Sequence, residues 1–451
     1  MANLGKVDWS SILEKKGALF FIGSILLLPF LLFVFDYLDL FYFCIALVLA
    51  IYVCLLIVNF EAGFLVLIFV RSSLDYLKQS TGEEGFNLAA IFAVGLVVLS
   101  FFYILYRKVD IFRYKETAPF LIFLACCGIS TVFSEVAAES FADWLRLLSI
   151  FSVYVITRAA ATTEKKIRIF LIVILLSSIF PLYVALLQFV TGAAVVDSSF
   201  EYGRLEGTFA HPNAFSSYLL VILIFTISQI FEKRPLINRF ILFPYVICVS
   251  TVFLLTFSRG AWIVFVVSVI LMGLMRYRRI LVIVPVALLA IVLLVPSVSS
   301  RIADEGVRID ARHSSSWEWR LKAWTNVAPF FREKPLFGHG LSTIDIELGY
   351  QSHNDFLRLL VETGAVGFIA YLYLIFRLVR VTWKDYRLAR DGLTRGFQVG
   401  LLALIVGFVI REAADNTLRN TVVMVYFWFF IAVVRNMINL ETKEEPIQQA
   451  P

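Results

Sequence analysis

Long apolar runs repeat along most of the 451-residue chain, and they limit what it can fold into. Runs of about 16 to 20 residues match the length of a helix that crosses the hydrocarbon layer of a membrane. Hydrophobic residues make up 60% of the chain and charged residues only 16%, far from the balance of a water-soluble domain. Because a soluble protein could not bury so many helices that are apolar on every side, the sequence predicts an all-α polytopic membrane protein.

The apolar runs predict about 12 to 14 membrane-spanning helices. They lie at roughly 17–35, 40–59, 60–70, 88–106, 118–133, 144–157, 167–190, 215–231, 240–257, 261–275, 280–296, 364–381, 397–410 and 421–434. The first run lacks a small-residue cleavage site, so we expect a retained helix and not a signal peptide. The chain thus divides into spans with short loops over 1–296, a long polar loop over 297–363, further spans over 364–440 and a polar, disordered tail over 441–451.

Basic residues concentrate in every second loop. Clusters such as Arg107-Lys108, Lys165-Lys166 and Lys233-Arg234 follow the positive-inside pattern, which places these loops and both termini in the cytoplasm. The opposite loops contain all four histidines and several isolated arginines, so we expect any chemistry to be extracytoplasmic. The sequence lacks metal-ligand spacing, a Walker loop, a nucleophile elbow and a dinucleotide fingerprint, and its basic charge is explained by the loops without nucleic-acid binding.

Two short polar segments interrupt the apolar runs on the outer side. Residues 202–213 contain the Gly, Pro and Asn residues of a tight turn, and Asn213 is placed to cap the next helix. This segment is either a simple capped loop or one whose Arg204 or His211 faces a substrate. The second segment, Ser258-Arg259-Gly260, places an arginine where charge is costly unless it is paired or hydrated. Snorkelling to the headgroups would explain it, but its fork of donors also suits a phosphate or diphosphate, which we favour.

The long polar loop contains two further candidate segments. Trp317, Arg320 and Trp324 fall on one helical face, as in a helix lying in the headgroup layer, where a lipid-linked sugar diphosphate would also be met. Further on, Ser352 and Asp355 have capping-box spacing, which predicts a helix that starts at His353. A first-turn position disfavours the protonated imidazole, and a neutral imidazole suits a general base, although a surface histidine that helps to cap the helix is the plainer explanation.

In their order and spacing, these motifs resemble the bacterial O-antigen ligase and O-antigen polymerase superfamily. The shared pattern is the Gly-Thr-Phe to His-Pro-Asn turn, then Ser-Arg-Gly-Ala, Trp-Arg-x3-Trp, Gly-x-Gly, and His-Asn followed by Glu and Gly residues. The resemblance covers roughly residues 200–375 by motif and the whole chain by topology.

The resemblance implies a metal-independent glycosyltransferase of the GT-C type that uses no nucleotide sugar and no cofactor. It would transfer a glycan from undecaprenyl diphosphate, with inversion, to an acceptor hydroxyl at the periplasmic face of the bacterial inner membrane. Carried over by motif, Arg259 and Arg320 would bind the diphosphate, and His353 would deprotonate the acceptor. Asn354 and Glu362 would orient or support that base.

Position alone suggests additional residues. Arg204, His211 and Arg411 are substrate-binding candidates on the outer side. Trp324 on the interfacial helix and Asn354 beside His353 are also substrate-binding candidates. Gly338 and Gly340 are expected to support the fold of the long loop.

The acceptor remains open between two possibilities. A ligase would use a lipid A core sugar, whereas a polymerase would use a second lipid-linked repeat unit; the single large outer loop favours the ligase. A transporter or flippase of lipid-linked anions would also need arginines around a polar cavity. Transporters tend to place such charges near the bilayer midplane on broken, repeated helices, whereas here the charges crowd one face, which favours an enzyme.

Overall fold

The computed structural model describes residues 40–76, 88–194, 203–303, 316–390 and 392–443, which are helices and connecting turns without a β-strand among them. The helices are α1 (Leu40–Val58), α2 (Phe60–Arg71), α3 (Leu88–Arg107), α4 (Thr117–Val132), α5 (Ala137–Ala160), α6 (Glu164–Leu176), α7 (Ile179–Thr191), α8 (Pro212–Ile230), α9 (Arg239–Leu255), α10 (Arg259–Met275), α11 (Ile280–Leu294), α12 (Pro296–Ala303), α13 (Ser316–Val327), α14 (Phe330–Glu333), α15 (Thr343–Leu348), α16 (Asp355–Glu362), α17 (Gly364–Leu388), α18 (Leu393–Glu412) and α19 (Thr421–Lys443).

These helices confirm an all-α polytopic membrane protein. Within the described ranges, six helices are long and apolar enough to cross a membrane, and five shorter apolar helices have 10–17 residues. The six comprise α5, the continuous stretch of α6 and α7, α8, α17, α18 and α19. The predicted span at 17–35 lies outside the described residues, as does the tail beyond Lys443. The first three residues of the predicted tail, 441–443, continue α19 instead of leaving it.

The chain forms two compact units, which divide between Val70 and Arg71. In the small unit, α1 and the first part of α2 meet at Gly63, where an added Cβ would lie 2.5 Å from the Leu56 side chain. The Tyr52 hydroxyl donates to the Gly63 carbonyl at 3.3 Å. A residue without a side chain thus permits two consecutive helices to approach closely.

The large unit is built around α8, which is apolar and buried along nearly its whole length. Phe225 of α8 stacks on Phe397 of α18 with ring centroids 5.0 Å apart and meets Phe430 of α19 edge-on at 5.4 Å. Aromatic packing of this kind supplies dispersion contacts between helices where no water is present to drive association. Asn213 at the start of α8 and Arg411 at the end of α18 lie beyond this apolar core.

The predicted span at 167–190 is one candidate span with a two-residue turn at 177–178. α6 ends at Leu176 and α7 begins at Ile179, because Pro181 has no N–H to donate to the carbonyl of Ser177. The Ser72 hydroxyl donates to that carbonyl instead, at 2.7 Å. A hydrogen bond from another segment therefore replaces the one that proline removes, which is what a polar backbone in a membrane requires.

The long polar loop folds into a small layer of its own. Helices α13 to α16 surround a cluster of Val327, Ile344 and Val361, against which Phe330, Phe331, Leu348 and Leu357 pack. This layer lies at the end of the large unit where the loops predicted to be outside meet: Ser140, in the first turn of α5, donates to the Leu341 carbonyl at 2.6 Å. The loops predicted to be cytoplasmic meet at the opposite end, where Arg276 pairs with Glu232 at 2.6 Å.

Candidate active site

His353 and Asp415 form a pair at the loop-covered end of the large unit. Nδ1 of His353 lies 3.3 Å from Oδ1 of Asp415, in the short connection between α18 and α19. A carboxylate can only accept, so the proton of a neutral imidazole belongs on Nδ1 and Nε2 keeps its lone pair. This arrangement orients a histidine for accepting a proton through Nε2.

Positive charges keep Asp415 ionised. Burial alone would raise the pKa of Asp415, but the hydrogen bond from His353 and the charges of Arg411 and Arg320 hold it well below its usual range. Arg411 reaches the second carboxylate oxygen at 3.1 Å. Asp415 therefore remains a carboxylate over the pH range in which His353 could act.

The helix after His353 begins later than predicted. Asn354, not Ser352, is the N-cap: its Oδ1 accepts from the N–H of Leu357 at 3.0 Å, and α16 starts at Asp355. His353 lies in the turn before the helix with a φ of 49°. The predicted capping box and the predicted first-turn position of His353 are therefore wrong, and the imidazole is oriented by the carboxylate of Asp415.

Trp324 restrains the turn that carries His353. Its indole Nε1 donates to the carbonyl of Ser352 at 3.0 Å, from the middle of α13. The predicted helix with Trp317, Arg320 and Trp324 is confirmed, and it places Trp324 against the backbone immediately before His353. Trp324, predicted to bind substrate, thus donates its indole N–H to the backbone of the turn that carries His353.

The guanidinium groups of Arg411 and Arg320 lie near Asp415, and that of Arg259 lies near Arg320. Burial lowers the pKa of Arg320, Asp415 opposes that shift, and the like charge of Arg259 adds to it. Arg411 is buried, and its Nη1 lies 3.5 Å from where a Cβ on Gly260 would be. Three guanidinium groups thus lie close together at this end of the bundle, and their paired donors suit an anion with several oxygens.

Arg204 is held in place by neighbouring segments. Its Nε donates to the Thr256 carbonyl at 2.9 Å, and its Nη2 donates to Oδ1 of Asn213 at 3.0 Å. The Ser258 hydroxyl donates to the same Oδ1 at 3.1 Å. Arg204 therefore lies against the turn that precedes Arg259, as part of the same end of the bundle.

His211 takes the capping role that was predicted for Asn213. Its Nδ1 accepts from the N–H of Asn213 at 3.0 Å at the start of α8, while Asn213 lies inside the first turn. Desolvation by the surrounding chain and the charge of Arg204 lower the pKa of His211, although part of the ring remains open to solvent. The prediction failed because proline at the first helical position moves the cap one residue before it.

Gly338 and Gly340 hold the long loop against the start of α17. A Cβ on Gly338, where φ is 72°, would lie 2.3 Å from the carbonyl oxygen of Glu362. The N–H of Gly340 donates to that oxygen at 2.9 Å. The two glycines thus permit a close backbone contact and lie outside the arginine cluster, as expected for structural residues.

Glu362 connects to the His–Asp pair only indirectly. Arg358 bridges Glu362 at 3.0 Å and Asp355 at 2.8 Å, and Asp355 accepts from the N–H of Leu418 at 2.7 Å. Leu418 is in the same short loop as Asp415. On the other side of that loop, Arg419 pairs with Asp143 at 3.5 Å and with Asp345. The loop that carries Asp415 is therefore anchored from both sides.

Sequence reasoning missed Asp415 and Arg358, and it gave Asp355 only a capping role. The available signal was spacing, since Asp415 follows Arg411 by four residues on a helix end and Arg358 lies between two carboxylates at i−3 and i+4. Of the other histidines, His339 is buried against the Phe330 carbonyl and His313 lies outside the described residues. Among the described residues, no group of three or more His, Cys, Asp or Glu side chains could hold a metal ion.

An apolar groove opens beside the arginine cluster. It runs along α8, α9, α10 and α11, from Phe231 and Ile280 at one end to Trp262 and Val298 at the other. α10 has 17 residues, which corresponds to about 25 Å of helix, close to the thickness of the hydrocarbon layer. Trp262 follows Arg259 by three residues, and its buried Nε1 has no partner among the described residues.

Fold and site together define a polytopic membrane protein with a group of arginines and a His–Asp pair at one end of its helix bundle. Residues 244–372 match the O-antigen ligase family model, which supports the resemblance to the O-antigen ligase and polymerase superfamily that the motifs indicated. A search of curated proteins finds no match. Arg259, Arg320 and His353 lie inside the matched segment, whereas Arg204, Arg411 and Asp415 lie outside it.

Proposed function

We propose that this protein is a glycosyltransferase that transfers a glycan from undecaprenyl diphosphate to an acceptor hydroxyl, and that it acts as an O-antigen ligase. The observation that carries the proposal is the meeting of a His–Asp pair, several arginines and an apolar groove at one end of the bundle. A lipid-linked sugar diphosphate has chemical groups that match each of these features. The matched O-antigen ligase family supports activity of this general type.

In this proposal Arg259 and Arg320 bind the diphosphate. Each guanidinium offers paired donors to phosphate oxygens, and both face charge that grows on the leaving group as the bond to the sugar breaks. Arg204 and Arg411 donate to protein acceptors and add positive potential around the site. The arginines supply this charge themselves, so the proposed step needs no metal ion.

His353 acts as the general base. Nε2 takes the proton of the acceptor hydroxyl while that oxygen forms a bond to the anomeric carbon, and the carbon–oxygen bond to the diphosphate breaks with its electron pair on the diphosphate. Asp415 stabilises the imidazolium that forms. One displacement by an oxygen opposite the leaving group inverts the anomeric configuration.

The hydrocarbon tail of the donor would occupy the apolar groove. Its mouth at Trp262 is next to Arg259, so a diphosphate at the arginines and a tail along α10 and α11 belong to one molecule. α11 buries only Ile280 and contains Pro285, so it leaves the groove open along its outer side. Binding of this kind supports a lipid-linked donor over a soluble nucleotide sugar.

We place the site on the periplasmic face of the bacterial inner membrane and both termini in the cytoplasm. Basic clusters such as Arg276 and Lys233-Arg234 lie at the opposite end of the large unit, which supports this orientation by the positive-inside rule. The single large outer loop supports a lipid A core acceptor, with a second lipid-linked repeat unit as the alternative.

Reconstitution tests the proposal. Purified protein in lipid nanodiscs would be supplied with an undecaprenyl-diphosphate-linked glycan and either lipid A core or a second lipid-linked unit. Product on lipid A core is expected. Product only on the second lipid-linked unit would reassign the protein as a polymerase, and product on neither acceptor would refute the glycosyltransferase.

A further inference from the structure

Asn213, the second residue of α8, lies where three segments of the site meet. Its Oδ1 accepts from Arg204 Nη2 at 3.0 Å and from the Ser258 hydroxyl at 3.1 Å. Its backbone carbonyl accepts from Arg411 Nη2 at 2.9 Å, and its N–H donates to His211 at 3.0 Å. One residue thus connects the loop before α8, the turn before α10 and the end of α18.

Each contact constrains a group that faces the substrate. Ser258 is the N-cap residue of α10, so the bond from Ser258 to Asn213 restrains the helix start that carries Arg259. Nη2 of Arg411 donates both to the Asn213 carbonyl and, at 3.1 Å, to Oδ2 of Asp415. Asn213 can therefore influence both the arginines and the orientation of His353 through Asp415.

We propose that Asn213 is a positioning residue that sets the spacing of the arginines that receive the donor diphosphate, an inference that rests on the proposed function. It acts through Arg204, Ser258 and Arg411.

A neutral amide suits this position better than a carboxylate. The amide oxygen has two lone pairs and accepts from both Arg204 and Ser258 without cancelling a positive charge. Aspartate would accept the same two hydrogen bonds, but its negative charge would repel the diphosphate and neutralise a guanidinium. Asn213→Asp therefore keeps the two hydrogen bonds from Arg204 and Ser258 but adds a negative charge. Asn213→Ala removes both hydrogen bonds without adding a charge.

The test measures transfer kinetics and anion binding with the full-length protein in nanodiscs. For Asn213→Asp we expect a kcat within about threefold of wild type, with the donor KM and the Kd for inorganic pyrophosphate each raised by about tenfold or more. For Asn213→Ala we expect kcat itself to fall by about tenfold, because Arg204 and Ser258 lose their common acceptor, the Asn213 Oδ1. The acceptor KM should not change in either variant.

Asn238→Asp is the matched control. Asn238 caps α9 at the opposite end of the bundle, where its Oδ1 accepts from the Phe240 N–H. Its substitution by aspartate therefore adds the same negative charge at a helix start far from the site. Wild-type kinetics are expected for this control.

Two results would overturn the inference. Wild-type values of kcat, donor KM and pyrophosphate Kd in both Asn213 variants would remove Asn213 from the site. Equal losses of kcat in the two variants, with a Tm well below that of the Asn238 control, would assign Asn213 a structural role only. If the wild-type protein neither binds pyrophosphate nor transfers glycan, the proposed function fails and the inference fails with it.

Discussion

Asp415→Asn is the most direct test of the His–Asp pair. The substitution keeps the shape of the side chain but removes the charge that stabilises an imidazolium on His353. An amide can also donate to Nδ1, which would place the imidazole proton on Nε2 and block its role as a base. The change should therefore lower kcat more than it alters donor binding.

The expected loss can be estimated from the geometry. Opposite charges about 4 Å apart interact by about 4 kcal/mol at an effective dielectric of 20. The His353 and Asp415 side chains, 3.3 Å apart, keep 27% and 18% of their surface exposed, so solvent screens part of this interaction. A remaining contribution of roughly 2 to 3 kcal/mol corresponds to about a 30- to 160-fold loss of kcat.

The assay is the initial rate of glycan transfer at saturating donor, with Tm measured on the same preparations. Asp75→Asn is the matched control, because Asp75 forms an i,i+4 pair with Arg71 at 3.0 Å just as Asp415 does with Arg411. A kcat for Asp415→Asn within about threefold of wild type would refute the reasoning about the pair.

Three further substitutions test the remaining parts of the site. His353→Ala should abolish transfer while pyrophosphate binding and Tm stay near wild type; measurable transfer at the wild-type rate would remove the base assignment. Arg259→Lys should lose most activity in the same assay although the charge is kept, because the paired donors are lost; full activity would indicate snorkelling to the headgroups. Burial raises the pKa of Glu362 to about 7, so the folded protein holds a proton that the unfolded chain releases, and stability should fall as pH rises from about 4.5 to 7. In Glu362→Gln the Tm should depend less on pH between 5 and 8, and an unchanged pH dependence would contradict the buried, protonated carboxyl.

Short motifs in the sequence identify three residues of the candidate site. Arg259, Arg320 and His353 each stand in a short pattern with a recognisable order, and the folded chain brings all three to one end of the bundle. Asp415 escaped prediction because it is 62 residues away from His353 in sequence and reaches it only by the packing of α16 against the α18–α19 loop. A single aspartate in a short loop carries no motif.

Helix caps were the least predictable local feature. Near His211 and near His353 the sequence offers two or three side chains that could accept a backbone N–H, and spacing rules selected the wrong one each time. The choice depends on backbone angles: His353 has a φ of 49°, which ends the turn and leaves Asn354 to cap α16. Such a φ is set by contacts such as that of Trp324 with the Ser352 carbonyl, which lie outside the local sequence.

The sequence by itself determined the class of protein, most of the helices and the grouping of loops at two ends. These properties depend on the length of each apolar segment and on the number of Lys and Arg residues in each loop, which are local properties of the chain. Tertiary structure alone decided which carboxylate His353 meets, and that Asn213 joins Arg204, Ser258 and Arg411. Those contacts join segments that are far apart in the chain. Buried polar groups need hydrogen-bond partners, and the packing of the helices decides which partners are within reach.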